Sequence, residues 1–259
     1  IVPANELSQA KGRLSPILNE KERQRLAACM LQDVLMALLE AKTIDDVAVV
    51  SPDKEILSLA QKLSCEQIMD PPNKTGLNSA LTHAIEITST KKHNAVLIIP
   101  SDIPLISASD IDNLMQHLPV KRGTVLCSSQ SGGTNAIGIK PPGIMPLHFG
   151  KDSFQEHTKE AKKKNLPLKI VSLPSLAEDI DGPPDLASLV SSPLWKENRA
   201  GHVREPEMRR RCELPPPDTV RRSPTSTAQH QRHRTSGGSS GSDRGKVAAF
   251  CLAHRRPIL

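Results

Sequence analysis

The chain has 259 residues, of which 37% are hydrophobic and only 2% aromatic, and its formal net charge at pH 7 is +6. This length is enough for one sizeable core, and the scarcity of aromatic rings argues against a module that stacks nucleic-acid bases on them. No run of 18 apolar residues occurs, so the sequence excludes a transmembrane span.

In chain order, apolar periodicity predicts an alternation of strands and helices through the first 190 residues. The predicted elements are a strand at 1–3, helix 20–41, strand 46–51, helix 52–63, strand 66–69, helix 77–87, strand 95–100, helix 107–117, strands 124–127 and 136–139, helix 152–164 and strand 168–171. Such alternation is typical of parallel β-α-β units. The predicted fold class is therefore α/β, a three-layer α/β/α sandwich with a mostly parallel sheet.

The composition changes near residue 190. Residues 191–259 carry a net charge of +8 and residues 1–190 one of −2. The later segment also holds an Arg triplet, a Pro triplet and a Gly/Ser tract, with few apolar residues. We predict a folded domain over 1–190 and a basic, disordered tail over 191–259. Through the tail the chain could contact nucleic acid, but a solvated tail without a role, or a shifted reading frame, explains it too.

The five cysteines are odd in number and widely spaced, and no C-x-x-C pair occurs. This spacing is not that of a disulfide framework or a zinc site. No signal peptide is visible at the first residues. Together these features predict a cytoplasmic protein.

Carboxylates follow the strands at which a ligand is expected, because α/β sheets bind ligands at the carboxyl ends of their strands. Asp102 comes directly after the strongest predicted strand, and Asp179 and Asp181 follow the last one. Residues two apart point the same way in an extended chain. If the three meet at one sheet edge, their repulsion calls for a cation. Mg²⁺ fits, since it takes a few carboxylates together with phosphate oxygens.

Two loops carry features that suit a nucleotide. Lys11 and Arg13 flank a glycine after the first strand and could hold a polyphosphate, although an exposed basic turn explains them as well. Gly76 and Asn78 open a helix, where a nucleotide could approach the glycine and Asn78 could read a base or sugar edge. An ordinary first helical turn accounts for the second pair equally well.

Two further segments are candidates for binding an anion. Residues 132–136 form a Gly-rich turn into a strand, and residues 149–157 form a turn into a helix. The N–H groups of that turn and the Ser153 hydroxyl could bind an anion. His157, one helical turn after Ser153, is predicted to be an ordinary packed or solvated histidine.

Six segments in this order resemble the 2-phospho-L-lactate guanylyltransferase family, which includes the phosphoenolpyruvate guanylyltransferases of coenzyme F420 biosynthesis. The matching stretches are 10–14, 76–81, 100–105, 133–136, 149–157 and 179–181. The resemblance implies a nucleotide-diphospho-sugar-transferase-like sandwich. It also implies transfer of GMP from GTP to a three-carbon phosphoacid (2-phospho-L-lactate, phosphoenolpyruvate or 3-phosphoglycerate) with release of pyrophosphate.

The resemblance also implies roles for particular residues. The nucleotide would be bound by Lys11, Arg13, Gly76 and Asn78, the phosphoacid by Thr134, Gly150 and Ser153, and Mg²⁺ by Asp102 with Asp179 or Asp181. The catalytic groups would be Asp102, Asp181 and Lys11. The nucleophile is a phosphate oxygen that is already anionic, so no activated Ser or Cys is required.

Three departures from the family pattern stand out. Asn5 occupies the place of the lysine in the Pro-x-Lys of relatives, which weakens phosphate binding in principle. Ser128 and Ser129 replace a Pro-Asp pair. Residues 181–186 read Asp-Gly-Pro-Pro-Asp-Leu, where relatives have Asp-Thr-Pro-Glu-Asp-Leu.

Two other functions stay open at this point. One is another nucleotidyltransferase of the same fold, such as a molybdopterin guanylyltransferase or a cytidylyltransferase, but those usually have a Gly-rich first loop and residues 5–13 contain one glycine. The other is a nucleic-acid-binding protein that acts through the basic tail with an inactive α/β domain. The retained carboxylates oppose it. The choice of acid and the oligomeric state, including a homodimer, are left open.

Overall fold

The computed structural model describes residues 1–71, 76–91 and 93–192. Within them the strands are β1 (Val2–Pro3), β2 (Ala48–Ser51), β3 (Glu66–Met69), β4 (Val96–Ile98), β5 (Gly123–Ser128), β6 (Thr134–Lys140) and β7 (Leu168–Ile170). The helices are α1 (Glu20–Glu40), α2 (Lys54–Lys62), α3 (Leu77–Ser89), α4 (Ala108–Gln116), α5 (Ser153–Lys163), α6 (Pro174–Ala177) and α7 (Pro183–Ser191). The tail predicted over 191–259 lies, from residue 193 onward, outside the described residues. In the part of the chain that is described, no helix is both long and apolar enough to cross a bilayer.

The strands form one mixed sheet in the order β3-β2-β1-β4-β6-β5-β7. The pairs β1·β2, β2·β3 and β5·β7 are parallel, whereas β6 is antiparallel to both β4 and β5. Ile1 joins the two halves, because its N lies 2.7 Å from the carbonyl of Leu97 and its carbonyl accepts from the N–H of Ile99 over 3.2 Å. This is the pattern of a parallel ladder. The predicted α/β class with a mostly parallel sheet is confirmed.

The reversed strand β6 is the main difference from the alternation expected from the sequence. Only residues 129–133 separate β5 from β6, and a parallel connection needs a dozen residues or more. The chain therefore turns back, and the N–H of Ser129 donates to the carbonyl of Gly133 over 2.9 Å. As a result β6 begins at the sheet edge where β4 and β5 end.

The inner strands β2, β4, β5 and β6 are buried on both faces, as their continuous apolar runs predict, whereas the edge strands β3 and β7 are partly exposed. Alternate residues of β2 and β4 belong to two separate hydrophobic clusters, with Val49 and Leu97 in one and Val50 and Ile98 in the other. The first cluster takes apolar residues from α1, α2 and α4, and the second takes them from α3 and α5. This arrangement is a three-layer sandwich.

A third, smaller cluster lies beside the carboxyl edge of the sheet. It packs the start of α1 against α7 and contains the buried side chains of Leu14, Leu105 and Ile180. Leu14 and Ile180 are fully buried. Because these residues neighbour the charged loops predicted to carry function, the cluster fixes those loops relative to one another.

Two helices begin with reciprocal hydrogen bonds between side chains and backbone N–H groups. Ser107 caps α4 by accepting from the N–H of Asp110, whose carboxylate accepts from the N–H of Ser107 in return. Asn19 and Glu22 form the same reciprocal pair at the start of α1. Each pair satisfies N–H groups that a helix leaves without an internal partner.

Candidate active site

Lys11 is held in place by a loop that α1 and the small cluster anchor. The residue has a φ of 49° and so lies in the left-handed region, just before the 3₁₀ turn Gly12–Leu14. The guanidinium of Arg23, on α1, donates to the carbonyls of Ala10 over 3.3 Å and Leu18 over 3.0 Å. The buried side chain of Leu14 closes the turn from the other side.

The ammonium of Lys11 lies between two of the predicted carboxylates. Its Nζ is 2.8 Å from Oδ2 of Asp102 and 3.2 Å from Oδ1 of Asp181. The Lys11 side chain is only 11% exposed. The Asp102 side chain is 26% exposed and that of Asp181 is 42% exposed, so solvent screens the pair with Asp181 more than the pair with Asp102.

Arg13 reaches the same site from the solvent side. Its NH1 lies 3.4 Å from Oδ2 of Asp181, but its side chain is 80% exposed. An exposed pair at that distance contributes little to stability. Arg13 can therefore turn to an incoming anion at small cost, whereas Lys11 is fixed.

The two segments that carry Asp102 and Asp181 are joined through their backbones. The N–H of Ile180 donates to the carbonyl of Asp102 over 3.1 Å. The carboxylate of Asp185, in the first turn of α7, accepts from the N–H groups of Asp181 over 3.0 Å and Gly182 over 2.7 Å. Asp181 is thus positioned by the start of a helix as well as by Lys11.

Asp179 is held separately, by Asn135. The Nδ2 of Asn135 donates to the carbonyl of Leu176 over 2.8 Å and lies 3.4 Å from Oδ1 of Asp179. Burial raises the pKa of Asp179, and the charges of Asp102 and Asp181 raise it further. The three predicted carboxylates therefore interact electrostatically. Only Asp102 and Asp181, however, contact a common atom, Nζ of Lys11.

The carboxylates of the site meet the requirements of a magnesium ion only in part. Among the described residues, no group of three or more His, Cys, Asp or Glu side chains is close enough to share one metal ion. A site for Mg²⁺ on a nucleotide usually needs only one or two protein carboxylates, with phosphates and water completing the octahedron. Asp102 and Asp181 fit that requirement, and Asp179 is committed to Asn135 instead.

A cavity of about 310 Å³ opens beside this cluster. Its polar lining comes from Asn5, Gln9, Lys11, Arg13, Ser101, Asp102 and Asp181. The sequence-predicted residues Gly76 and Asn78 do not line it. The cavity is therefore lined by the two predicted phosphate-binding cations, by two of the three carboxylates, and by Asn5, the residue that stands where relatives have a lysine.

Thr134, Ser153 and His157 form a second, buried polar cluster. The Oγ1 of Thr134 lies 3.0 Å from Nδ1 of His157 and 3.2 Å from Oγ of Ser153, which donates to it. The other ring nitrogen of His157 accepts from the backbone N–H of His148 over 2.8 Å. The sequence predicted Thr134 and Ser153 as partners in binding, and the structure places them in contact.

Asn78 is found at the loop that leads to Gly150. Its amide group donates to the carbonyl of Phe149 over 2.9 Å and accepts from the N–H of the same residue over 2.7 Å. The predicted nucleotide residue is thus engaged with the backbone next to a predicted acid residue. Gly150 has a φ of 130°, a conformation that side chains rarely adopt. Within the described residues, the N–H of Gly150 has no acceptor.

The first turn of α5 differs from its expected role. The N–H groups of Ser153 and Phe154 donate to the carbonyls of Gly150 and Gly132, and the next two N–H groups donate to the carbonyl of Asp152. These four groups are occupied and are not available to an anion. Elsewhere in the same turn the N–H groups of Gly150, Lys151 and Asp152 make no hydrogen bond within the described residues, so the donors that remain for an anion include these three and the hydroxyl of Thr134.

Neighbouring residues at the start of β6 contact different parts of the site. Thr134 contacts His157 and Ser153, and the next residue, Asn135, contacts Asp179. Successive side chains of a strand point to opposite faces. The reversal of β6 therefore places Thr134 in the buried polar cluster and Asn135 beside Asp179 at the same edge of the sheet.

Comparison with known proteins decides the family. Residues 1–193 match the family described as guanylyl transferase CofC like. The chain belongs to this family. It is 37% identical over 190 residues to the phosphoenolpyruvate guanylyltransferase of Sphaerobacter thermophilus, a match that covers 73% of this chain and 90% of the relative. It is 35% identical over 190 residues to the 2-phospho-L-lactate guanylyltransferase of Methanothermobacter thermautotrophicus, covering 73% and 82% of the two chains.

The fold of this CofC-like protein is also found among solved structures. A structure from Desulfovibrio desulfuricans G20, described as a nucleotide-diphospho-sugar transferase, superposes with a TM-score of 0.64. The match covers 83% of this chain and 97% of that one, at 16% sequence identity. At such low identity the likeness concerns the fold alone, and it agrees with the three-layer sandwich described above.

Two departures from the family pattern lie in turns with defined hydrogen bonds in this CofC-like chain. The Oγ of Ser129 accepts from the N–H of Gly133 over 2.8 Å, which closes the turn between β5 and β6. Gly182 has no side chain to cap α7, and its own N–H donates to the carboxylate of Asp185 over 2.7 Å. Asn5 is exposed in the cavity, and no ion pair replaces the missing lysine there among the described residues.

Sequence reasoning missed three residues that support the site. Asp185 could have been found, since an acidic residue in the first turn of a helix that begins with proline is a usual capping signal. Asn135 and His157 could not, because their partners lie 44 and 23 residues away in the chain. No local pattern records such contacts.

Proposed function

We propose that this protein transfers GMP from GTP to a three-carbon phosphoacid and releases pyrophosphate, as a cytoplasmic enzyme of coenzyme F420 biosynthesis. The observation that carries the proposal is the convergence of Lys11, Asp102 and Asp181 on one cavity. The Thr134 cluster is at the start of β6, and the residue next to Thr134, Asn135, contacts the third carboxylate, Asp179. Two polyanions must meet in this reaction. One cluster is suited to a polyphosphate and the other to a small acid.

The bond changes are those of a nucleotidyl transfer. An anionic oxygen of the acid's phosphate attacks the α-phosphorus of GTP, and the bond from that phosphorus to the bridging oxygen of the β-phosphate breaks. The nucleophile needs no general base, since it is already deprotonated at neutral pH. The work of the protein is to align the two phosphates and to offset their repulsion.

Lys11 and Arg13 supply the positive charge for the donor's phosphates. Lys11 is presented by a rigid loop, so its ammonium is preorganised next to the cavity. Arg13 is mobile enough to follow the phosphates as they enter. Gly76 and Asn78 remain the proposed residues for the nucleoside, on the strength of the family resemblance.

Asp102 and Asp181 would hold Mg²⁺, which when bound would offset the charge of the phosphates. The free carboxylates already share the ammonium of Lys11 at 2.8 and 3.2 Å. Lys11 therefore keeps the two carboxylates together before the nucleotide arrives. Asp179 is not part of this pair. It contacts Asn135 and adds negative charge near Asp102 and Asp181.

The acid is proposed to bind at Thr134, Gly150 and Ser153. The N–H of Gly150 and the hydroxyl of Thr134 are the groups there that can donate to an anionic oxygen. The acceptor is 2-phospho-L-lactate, phosphoenolpyruvate or 3-phosphoglycerate. These acids differ by few atoms, and a single contact changes selectivity by only about 1–3 kcal/mol.

We propose that residues 1–190 carry the activity and that the tail is dispensable for it. A homodimer is compatible with this proposal.

The deciding experiment is pyrophosphate release by the full chain, with each nucleoside triphosphate and each of the three acids in turn. We expect release that requires both GTP and one of the acids, together with a divalent cation. Faster release with CTP or ATP would contradict the proposed donor. Release that does not depend on any acid would contradict the proposed acceptor class.

A further inference from the structure

The hydrogen bonds of His157 fix the position of its proton. The backbone N–H of His148 lies 2.8 Å from Nε2 of the ring. A backbone N–H can only donate, so Nε2 carries a lone pair and the proton of the neutral ring is on Nδ1. Burial lowers the pKa of His157 to about 4, which keeps the ring neutral near pH 7. Nδ1 therefore donates to Oγ1 of Thr134 over 3.0 Å.

The hydrogen bond from His157 determines whether the Thr134 hydroxyl can donate or accept a further hydrogen bond. Its oxygen accepts from Nδ1 of His157 and from the Ser153 hydroxyl, at 3.0 and 3.2 Å. A hydroxyl oxygen has two acceptor positions and one proton. Both acceptor positions are filled, and no acceptor for the proton is found in the described part of the chain. The hydroxyl can therefore act only as a donor.

We propose that His157 is a positioning residue that makes the Thr134 hydroxyl an obligate hydrogen-bond donor to an anionic oxygen of the phosphoacid. The inference rests on the proposed function, because it places the acid at Thr134. A hydroxyl locked as a donor binds a carboxylate or phosphate oxygen and gives nothing to an alcohol proton or an ammonium group. His157 thus contributes to selecting an acid without touching it.

The same ring also sets the distance between two parts of the acid site. It contacts Thr134 on β6 through one nitrogen and the loop that leads to Gly150 through the other. The side chain is completely buried, and the ring of Phe149 packs edge-on against it at 5.1 Å between centroids. Since Asn78 holds the backbone of Phe149 as well, the loop has little freedom to move away from Thr134.

Two substitutions separate the bonds that His157 makes. The amide of His157→Gln reaches about as far as Nε2 and can still accept from the His148 N–H, but it gives up the bond to Thr134. The amide of His157→Asn ends near the place of Nδ1 and can still donate to Thr134, but it gives up the bond to His148. Both variants lose the ring, so packing defects are common to the two.

Steady-state kinetics should distinguish the two variants of His157. We expect His157→Gln to raise KM for the acid about tenfold, the usual effect of misdirecting one hydrogen bond to a charged group. KM for GTP should stay within about twofold, because Thr134 contacts the acid only. His157→Asn should retain much more of the affinity for the acid, even where its melting temperature is the lower of the two. An equal rise in both variants, or a parallel rise in KM for GTP, would reduce His157 to a packing residue.

A double-variant cycle tests whether His157 acts through Thr134. Thr134→Val removes the hydroxyl and should itself raise KM for the acid. Adding His157→Gln to Thr134→Val should then cause little further increase, because there is no hydroxyl left to orient. A second, independent tenfold increase would overturn the inference.

The tautomer itself can be measured without turnover, by long-range ¹H–¹⁵N NMR of the full chain labelled at histidine. We expect His157 to show a protonated Nδ1 and an unprotonated Nε2 at pH 7, and the assignment is checked by loss of the signals in His157→Gln. A protonated Nε2 would overturn the role of His157 even in an active enzyme. Absence of pyrophosphate release with all three acids would instead contradict the proposed function, and with it the acid site at Thr134.

Discussion

Nζ of Lys11 lies 2.8 Å from Oδ2 of Asp102, a residue 91 positions later in the chain. The same ammonium also reaches Asp181, so the two carboxylates share one cation in the free protein. Neither carboxylate has to be exposed as an isolated charge before substrate enters. The arrangement predicts that these residues act as a unit.

Replacing Lys11 with Met should weaken donor binding strongly. The variant removes the fixed ammonium that joins Asp102 and Asp181, and leaves only the exposed guanidinium of Arg13 beside Asp181. We expect KM for GTP to rise about 10- to 100-fold, the range for losing a charge-assisted contact to phosphate. Initial rates at saturating acid measure it. The matched control is Arg13→Met, which should have a smaller effect because Arg13 is largely exposed.

The carboxylates should divide into two classes when each is changed to Asn. Asp102→Asn and Asp181→Asn should each lower kcat at least about 100-fold, as expected when one preorganised electrostatic group is lost. Asp179→Asn should cost less than about tenfold, since its carboxylate contacts Asn135 rather than Lys11. Circular dichroism would verify that each variant is folded. Near-normal turnover of Asp102→Asn in saturating Mg²⁺, or full activity in excess EDTA, would contradict the role assigned to the pair.

Asn5 offers a gain-of-function test. It is exposed and lines the same cavity as Lys11 and Arg13. Asn5→Lys should lower KM for GTP, because it adds a cation to a site that binds a polyanion. The effect should shrink with added salt. An unchanged or raised KM would mean that position 5 does not face the phosphates. Asn5→Gln serves as the control of similar length without charge.

The stability of the fold should depend on pH through His157. Its pKa falls from an ordinary value of 6.5 to about 4 in the folded protein. The unfolded chain therefore takes up a proton on this ring between those values while the folded chain does not. The free energy of unfolding should decrease by about 3 kcal/mol as the pH falls from 6.5 to 4, and this contribution should then level off.

Urea unfolding at several pH values would measure this dependence. Other groups titrate in the same range, so the informative quantity is the difference between the wild type and His157→Gln. That difference should be largest above pH 6.5 and should decline towards pH 4. A difference that is constant across the range would show that the ring is not held neutral.

The sequence predicted the parts of the fold that depend on local pattern. The strand predicted over 95–100 and the helix predicted over 107–117 are recorded in the apolar pattern of neighbouring residues, and they contain β4 and α4. The four residues of α6 are too few to show a helical period, so that helix was missed. The direction of β6 was missed as well, because alternation predicts parallel strands only where a helix connects them.

The candidate site was predicted in part for a similar reason. Asp102 and Asp181 were expected together because strand ends share one edge of the sheet, and Lys11 joins them. The placement of Asn78 on Phe149 depends on a contact between residues 71 positions apart. Side-chain partners of that kind are determined by packing of α3 against the loop, which no periodicity reports.

The most direct test of the account is the identity of the product, followed by ³¹P NMR with the full chain, GTP, one of the three acids and Mg²⁺. Attack by the acid's phosphate on the α-phosphorus predicts a new diphosphate whose two phosphorus nuclei are coupled, formed in equal amount with pyrophosphate. The acid's phosphate signal should disappear at the same rate. Formation of GDP and orthophosphate, or of pyrophosphate with GMP while the acid stays unchanged, would contradict the transfer of GMP between the two clusters described here.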